Sequence, residues 1–322
     1  EWGGITEVVD ELEAMPSVLP VRREQPHSAW VTIQIGCNNT CTFCIVPSVR
    51  GPEVSRRPGD VISEVERLAA EGVVEVTLLG QNVDTYGRDL ANGGRGGPIF
   101  VDLLRRVGAV EGIRRVRFTS PHPADFRREV ALAMAETEAV CEQLHLPLQS
   151  GSDRILARMH RGYNRQRFMD RLAMAREIIP DLTVTTDVIV GFPGETDEDF
   201  EMTMEVIEEA RFDSAFMFIF SPRPGTAAAE MTDQFVDPEV VQERFQRLVE
   251  TQNRISAERN AEWVGRTVEV LSEGPSKKDP SVATTRTRGG KVVHVPGEYA
   301  PGTFLDVELT EAYQHHLVGR PV

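Results

Sequence analysis

Cysteine is scarce in these 322 residues, with four in all. So few, and so unevenly placed, exclude a disulfide framework and point to a reducing compartment, the cytoplasm. Long apolar runs are missing as well. No stretch approaches the roughly eighteen residues that a membrane-spanning helix needs, so no membrane partner is expected. The first residues lack the basic, apolar and small-residue pattern of a secretory signal. The chain opens with Glu1 and not Met, from which we expect a longer parent. Positive charge is also in deficit, at 35 Lys and Arg against 50 Asp and Glu, a net −15. That argues against a nucleic-acid grip spread over the whole surface.

The deficit is uneven. From Trp263 to Val322 there are seven Lys and Arg and seven Asp and Glu, so all the excess acid lies before residue 263. A basic patch on the tail would not show in the total. Residues 1–27 carry Pro16, Pro20 and Pro26 and read as a short helix and a linker. Residues 28–262 repeat an apolar strand followed by an amphipathic helix, six times. Strands rich in Val, Ile, Phe and Thr are expected at 30–36, 74–80, 113–119, 143–149, 182–191 and 214–220. Helices are expected at 60–71, with Asp60 as N-cap and Gly72 as stop, and at 100–110, 125–138, 165–179, 196–209 and 238–261. Such alternation predicts parallel strands with right-handed crossovers. Six units are too few for an eight-stranded barrel, which leaves an open partial barrel or a doubly wound sheet. Residues 263–322 change character, to four short strands with Gly-rich turns and no helix. They predict a small antiparallel β-barrel.

Three of the four cysteines fall in GCNNTCTFC (36–44), as Cys37, Cys41 and Cys44. Thiolates take soft metals, zinc and iron–sulfur clusters above all. Structural zinc wants four closing ligands, typically in two pairs. Here three share one loop, His27 lies ten residues before it, and Cys141 is about a hundred residues away. A cubane held by three thiolates leaves one iron open for a substrate. A degenerate zinc loop or buried thiols are the alternatives. Parallel αβ barrels keep their chemistry at the C-terminal strand ends. All six predicted ends carry polar or glycine residues: the cysteines, Gly80-Gln81-Asn82, Thr119-Ser120 with His122, Gln149-Ser150-Gly151, Asp187 with GFPGE, and Ser221 with Arg223.

The Cx3CxΦC spacing, with Phe43 before Cys44, resembles the radical S-adenosylmethionine (radical SAM) superfamily. That resemblance implies a partial (β/α)6 barrel, one [4Fe-4S] cluster on Cys37, Cys41 and Cys44, and S-adenosylmethionine on its open iron. It implies that Gly80, Gln81 and Asn82 contact the methionine amine. Gln149, Arg161 and Asp187 would hold its carboxylate and ribose, Ile189 would pack on adenine, and Phe43 and Ser120 complete the set. The chemistry fits, since a carboxylate wants an arginine and a ribose diol wants a carboxylate or amide.

Further motifs, VPSVRGPEVSR (46–56), LLGQNVDTYG (78–87), RFTSPHP (117–123), HLPLQSGSDRIL (145–156), DVIVGFPGET (187–196) and FSPRPGT (220–226), look like the methylthiotransferase family. The tail resembles its TRAM module, an OB-like RNA-binding barrel. Gly80-Gln81-Asn82 and Arg223 resemble the branch acting on isopentenyladenosine. The resemblance implies radical insertion of a methylthio group at C2 of that adenine, beside the anticodon of a tRNA stem-loop. It also implies an electron donor such as a flavodoxin or ferredoxin. Lys277, Lys278, Arg286, Arg288 and Lys291 lie within fifteen residues, with Asp279 the one acid among them, and are expected to grip RNA together with Arg223. The chain departs from the family in one respect. The family's first domain carries three more cysteines for an auxiliary cluster, and residues 1–29 contain none. We therefore expect cofactor cleavage without complete methylthiolation, and a second cluster in the full-length parent. The other readings are an aspartate methylthiotransferase of ribosomal protein S12 and a non-catalytic RNA-binding protein with a structural metal.

Overall fold

A computed structural model of the chain describes residues 25–90 and 99–322. All but the last three residues of the expected helix and linker at 1–27 lie outside the described residues.

Among the described residues, eight strands and eight α-helices make the larger part. β1 (Ser28–Thr32) and β2 (Gln34–Ile35) lead into α1 (Val46–Arg50), β3 (Val54–Ser55), α2 (Pro58–Ala70) and β4 (Glu75–Leu79). α3 (Phe100–Gly108), β5 (Arg115–Phe118), α4 (Arg128–Glu136), β6 (Gln143–His145) and α5 (Asp153–Arg158) follow. Then come α6 (Arg165–Ile178), β7 (Thr183–Val190), α7 (Asp197–Ala210), β8 (Ser214–Ile219) and α8 (Pro238–Ala261). α2 begins two residues before the expected Asp60 cap. Pro58, whose missing N–H leaves nothing unpaired at that position, opens the helix, and Asp60 sits in the first turn where its charge suits the dipole. Gly72 ends it at φ +89°.

The six long-range strands pair in parallel and in chain order. β1, β4 and β5 form one ladder and β6, β7 and β8 another, and a parallel bridge from Val116 to Val140 joins them. A doubly wound sheet reverses strand order at its switch point, and this sheet does not. It is the open partial barrel, with β1 and β8 as its free edges. Burial alternates along β7. Val184, Thr186, Val188 and Val190 are buried on the helix side, while Thr185, Asp187 and Ile189 are half-buried on the inner face. One core of Val, Leu, Ile and Phe side chains runs between strands and helices.

The tail closes into a barrel of five strands: β9 (Thr267–Pro275), β10 (Val282–Thr287), β11 (Val292–Pro296), β12 (Phe304–Ala312) and β13 (Leu317–Pro321). Sequence patterning finds four of these. β13 is short and carries Gly319 and Pro321, both weak strand formers, yet it closes the barrel between β11 and β12. Its pairing with β11 is parallel, so the barrel is not purely antiparallel.

The β10–β11 hairpin seats against the N-terminal ends of the barrel strands. Arg115 donates to Arg286 O at 2.8 Å, and Arg117 donates to Thr287 O at 3.0 Å and Arg288 O at 2.7 Å. The tip is Gly289-Gly290. A Cβ on Gly289 would overlap Thr183 Oγ1, and one on Gly290 would lie 2.7 Å from Gln143 Cδ. Glycine is what lets the tip enter the barrel floor.

Candidate active site

The cysteine loop leaves β2 at the opposite end. Gly36 turns it at φ +71°, where a Cβ would overlap Pro52 O. Cys37 N–H then donates to Gly51 O at 3.2 Å, and Asn38 exchanges hydrogen bonds with Glu53. Further along, Thr42 donates through Oγ1 to Arg158 O at 2.9 Å and through its N–H to Met159 O at 3.2 Å. Both ends of the loop are thus tied to rigid elements. The three thiols are free and half-buried. Burial pushes the Cys37 thiol up, against an opposing N–H from Asn39.

All three line one cavity of about 180 Å³, together with Phe43, Gln81, Ser120, Gln149, Arg161 and Asp187. Residues spread over 150 positions of sequence therefore meet at one rim. Arg161 reaches Cys41 Sγ at 3.2 Å with one nitrogen, and its Nε donates to Tyr163 OH at 3.1 Å. Tyr163 in turn donates toward Pro147 O at 2.8 Å. Ser120 and Gln149 hold left-handed backbone at φ +59° and +68°, conformations that non-glycine residues keep where surrounding structure enforces them, often at sites. Gln149 is clamped on both sides, its N–H to Asp187 O and its carbonyl to Ile189 N–H.

Three expected residues stand elsewhere. Asn82 is fully buried and donates to Asp125 at 2.9 Å, so its side chain props the loop and does not reach the cavity. Gly80 lies behind the rim against Val83 and Gln34. Ile189 packs with Phe43 in a small apolar cluster beside the cavity. Two histidines also line the cavity: His145, which the expected set lacks, and His122, expected only as a strand-end residue. His145 bridges Thr185 Oγ1 at 2.9 Å and Asp187 Oδ2 at 3.2 Å. Its signal was period two, since Gln143 and His145 alternate with the buried Leu144 and Leu146. Burial, and then Arg161, push the His122 pKa down to about 3, so the ring is neutral at neutral pH.

The basic tail residues divide. Lys277, Lys278 and Arg223 are exposed. Arg286 pairs with Glu273 at 2.7 Å, Arg288 with Glu142 at 2.8 Å, and Lys291 with Asp213 at 2.8 Å. Three of the five tail residues expected to grip RNA are thus ion-paired. Lys291 is buried, and Arg288 and Lys291 hold the hairpin against carboxylates of the larger barrel. Arg286 is bound within the small barrel.

A cubane takes each thiolate at a separate iron. Three thiols lining one cavity with a guanidinium and a carboxylate fit such a cluster and a zwitterionic ligand. Among the described residues no three His, Cys, Asp or Glu side chains converge on a single ion position.

The profile of the Radical SAM superfamily matches residues 31–207, more than half of the chain. The chain belongs to the radical SAM superfamily. The TRAM domain profile matches residues 262–322, which form the closed five-stranded barrel. Among curated relatives, this radical SAM chain is 54% identical to the tRNA-2-methylthio-N(6)-dimethylallyladenosine synthase of Saccharopolyspora erythraea, over 97% of its own length and 64% of the relative's. The protein of that name in Thermobifida fusca is 55% identical with the same coverage. That in Tropheryma whipplei is 52% identical, with 67% of its length covered. The chain thus spans about two thirds of the length of these relatives. In structure it is similar to coproporphyrinogen III oxidase (HemN) from Escherichia coli, a radical SAM enzyme, with a TM-score of 0.51 at 14% identity, over 83% of this chain and 68% of the other. The radical S-adenosylmethionine methyltransferase TsrM from Kitasatospora setae gives 0.51 at 16% identity, over 64% and 38%. These distant likenesses concern the fold.

Proposed function

We propose that this chain carries the cofactor-cleaving and RNA-contacting parts of a tRNA-2-methylthio-N(6)-dimethylallyladenosine synthase. The observation that carries the reading is one cavity, at the C-terminal strand ends, lined by three thiols together with Arg161, Gln149 and Asp187. Cys37, Cys41 and Cys44 would hold one [4Fe-4S] cluster, which on one-electron reduction supplies the radical chemistry of bound S-adenosylmethionine. Arg161, hydrogen-bonded to Cys41 and braced by Tyr163, would take a carboxylate. Asp187 is oriented by His145, which leaves its other oxygen for a ribose hydroxyl. Phe43 and Pro147 add apolar surface to the cavity lining.

The substrate in this reading is a tRNA anticodon stem-loop with an isopentenylated adenine, which presents its C2 edge at the rim. The relatives' names and the TRAM domain support it. A flavodoxin or ferredoxin would supply the electron, in the cytoplasm. No described helix is long and apolar enough to cross a membrane. The test is anaerobic reconstitution followed by iron and sulfide analysis, with cofactor cleavage assayed on the same sample. About four irons per chain with 5′-deoxyadenosine formed supports the reading. Zinc, or iron without cleavage, overturns it.

A further inference from the structure

We propose that single-stranded RNA is received on a stacking surface of the small barrel built by Tyr313, His316 and His294, with Lys277 and Lys278 at its edge. This rests on the tRNA reading above and deepens it, because it moves the RNA contact away from the β10–β11 hairpin.

The three rings form one contiguous aromatic cluster. Tyr313 and His316 lie face to face, 4.8 Å between centroids and 13° between planes. His294 meets His316 edge-on at 4.9 Å. Tyr313 is 48% exposed, so part of the ring stands in solvent. Burial, then His294, His315 and Lys278, push His316 below the ordinary imidazole value. Aromatic faces of this kind accept any nucleobase. His294 and His316 line one groove with Lys277 and Lys278. Both lysines are exposed in the β9–β10 turn. The nearby acids are engaged: Glu273 with Arg286, Asp279 with Ser281, and Glu311 with the Tyr313 hydroxyl.

The surface also borders the larger barrel. His316 lines a second groove with Ser214 and Thr185, on the inner face of the larger barrel. Thr185 is hydrogen-bonded to His145, which lines the cysteine cavity. Phe216, 57% exposed on β8, packs edge-on against that same His145. A paired duplex buries its base faces and gains nothing from the stack.

Two free lysines also fix a charge count. Single-stranded binding loses about 0.7 in the slope of log K against log salt for each phosphate contact. Lys277 and Lys278 together account for a slope of about −1.4, and a five-residue basic patch would account for about −3.5.

The test is fluorescence anisotropy on the full chain at several salt concentrations. The probes are an RNA hairpin with a single-stranded loop and a blunt duplex of its stem. Melting curves check that each variant folds. The expected results are hairpin binding tighter than duplex binding, and a loss of about tenfold in Tyr313→Leu. Tyr313→Phe should bind like the parent, and the paired Lys277→Ala/Lys278→Ala change should reduce the slope by about 1.4. If the hairpin binds and neither Tyr313→Leu nor the lysine pair alters affinity or slope, this surface is wrong and the tRNA reading stands. Equal affinity for duplex also overturns it. If neither RNA binds the parent chain, the tRNA reading falls and the surface with it.

Discussion

Lys291→Met separates a docking role from an RNA role for the hairpin. In the folded chain the Lys291 and Asp213 side chains are 6% and 3% exposed and 2.8 Å apart. The ammonium also donates to Asn260 Oδ1 at 2.8 Å. Methionine keeps the apolar stem and removes the charge. Taking one partner from a buried pair costs about 3–5 kcal/mol, because the other charge is left desolvated. Asp213 keeps two supports, Val184 N–H at 2.9 Å and Arg259 at 3.6 Å. The loss should therefore fall at the low end, about 3 kcal/mol. Adding Asp213→Asn to Lys291→Met should recover part of it, since no orphan charge remains. Thermal melting and limited proteolysis of the tail read the effect. The variant should also keep the salt dependence of RNA binding. Parental stability combined with a shallower salt slope would refute the docking argument, because the ammonium would then face phosphate.

Three other changes are informative. Gly36→Ala forces a Cβ onto Pro52 O at φ +71°, which adds about 1–2 kcal/mol of left-handed strain to the overlap. It should lower the melting temperature and the iron bound per chain, and full iron content would show that the loop tolerates the shift. Cys41→Ala should abolish 5′-deoxyadenosine formation, and retained cleavage would sink the cluster assignment. Burial pushes the Asp84 carboxyl up to about 7, against a hydrogen bond from His122 N–H. Between its ordinary value and about 7 the folded chain holds a proton that the unfolded chain has released, so stability falls as pH rises through that window. Asp84→Asn should be more stable relative to the parent at about pH 8 than at about pH 5, and a difference constant with pH would contradict the burial argument.

Much of the cavity was legible from sequence because strand-end positions map to one rim in any parallel sheet. Gln81, Ser120, Gln149, Arg161 and Asp187 were placed on that basis and by resemblance, and all line it. Asn82 was not separable from Gln81, because adjacent residues in a turn point in different directions that only packing decides. His145 was missed because its role depends on register with Thr185 and on the Asp187 beside it, forty residues away.

By itself the sequence determined the local matters: three thiols in nine residues, the periods of strand and helix, and a change of character near residue 262. These depend on neighbours along the chain, where spacing sets geometry. Tertiary structure decided which charges are free. Arg288 and Lys291 read from sequence like Lys277 and Lys278, yet they end against Glu142 and Asp213, while the two lysines remain in solvent. A side chain's charge is written in the sequence. Whether it faces water or a carboxylate is set by residues that folding brings from elsewhere in the chain.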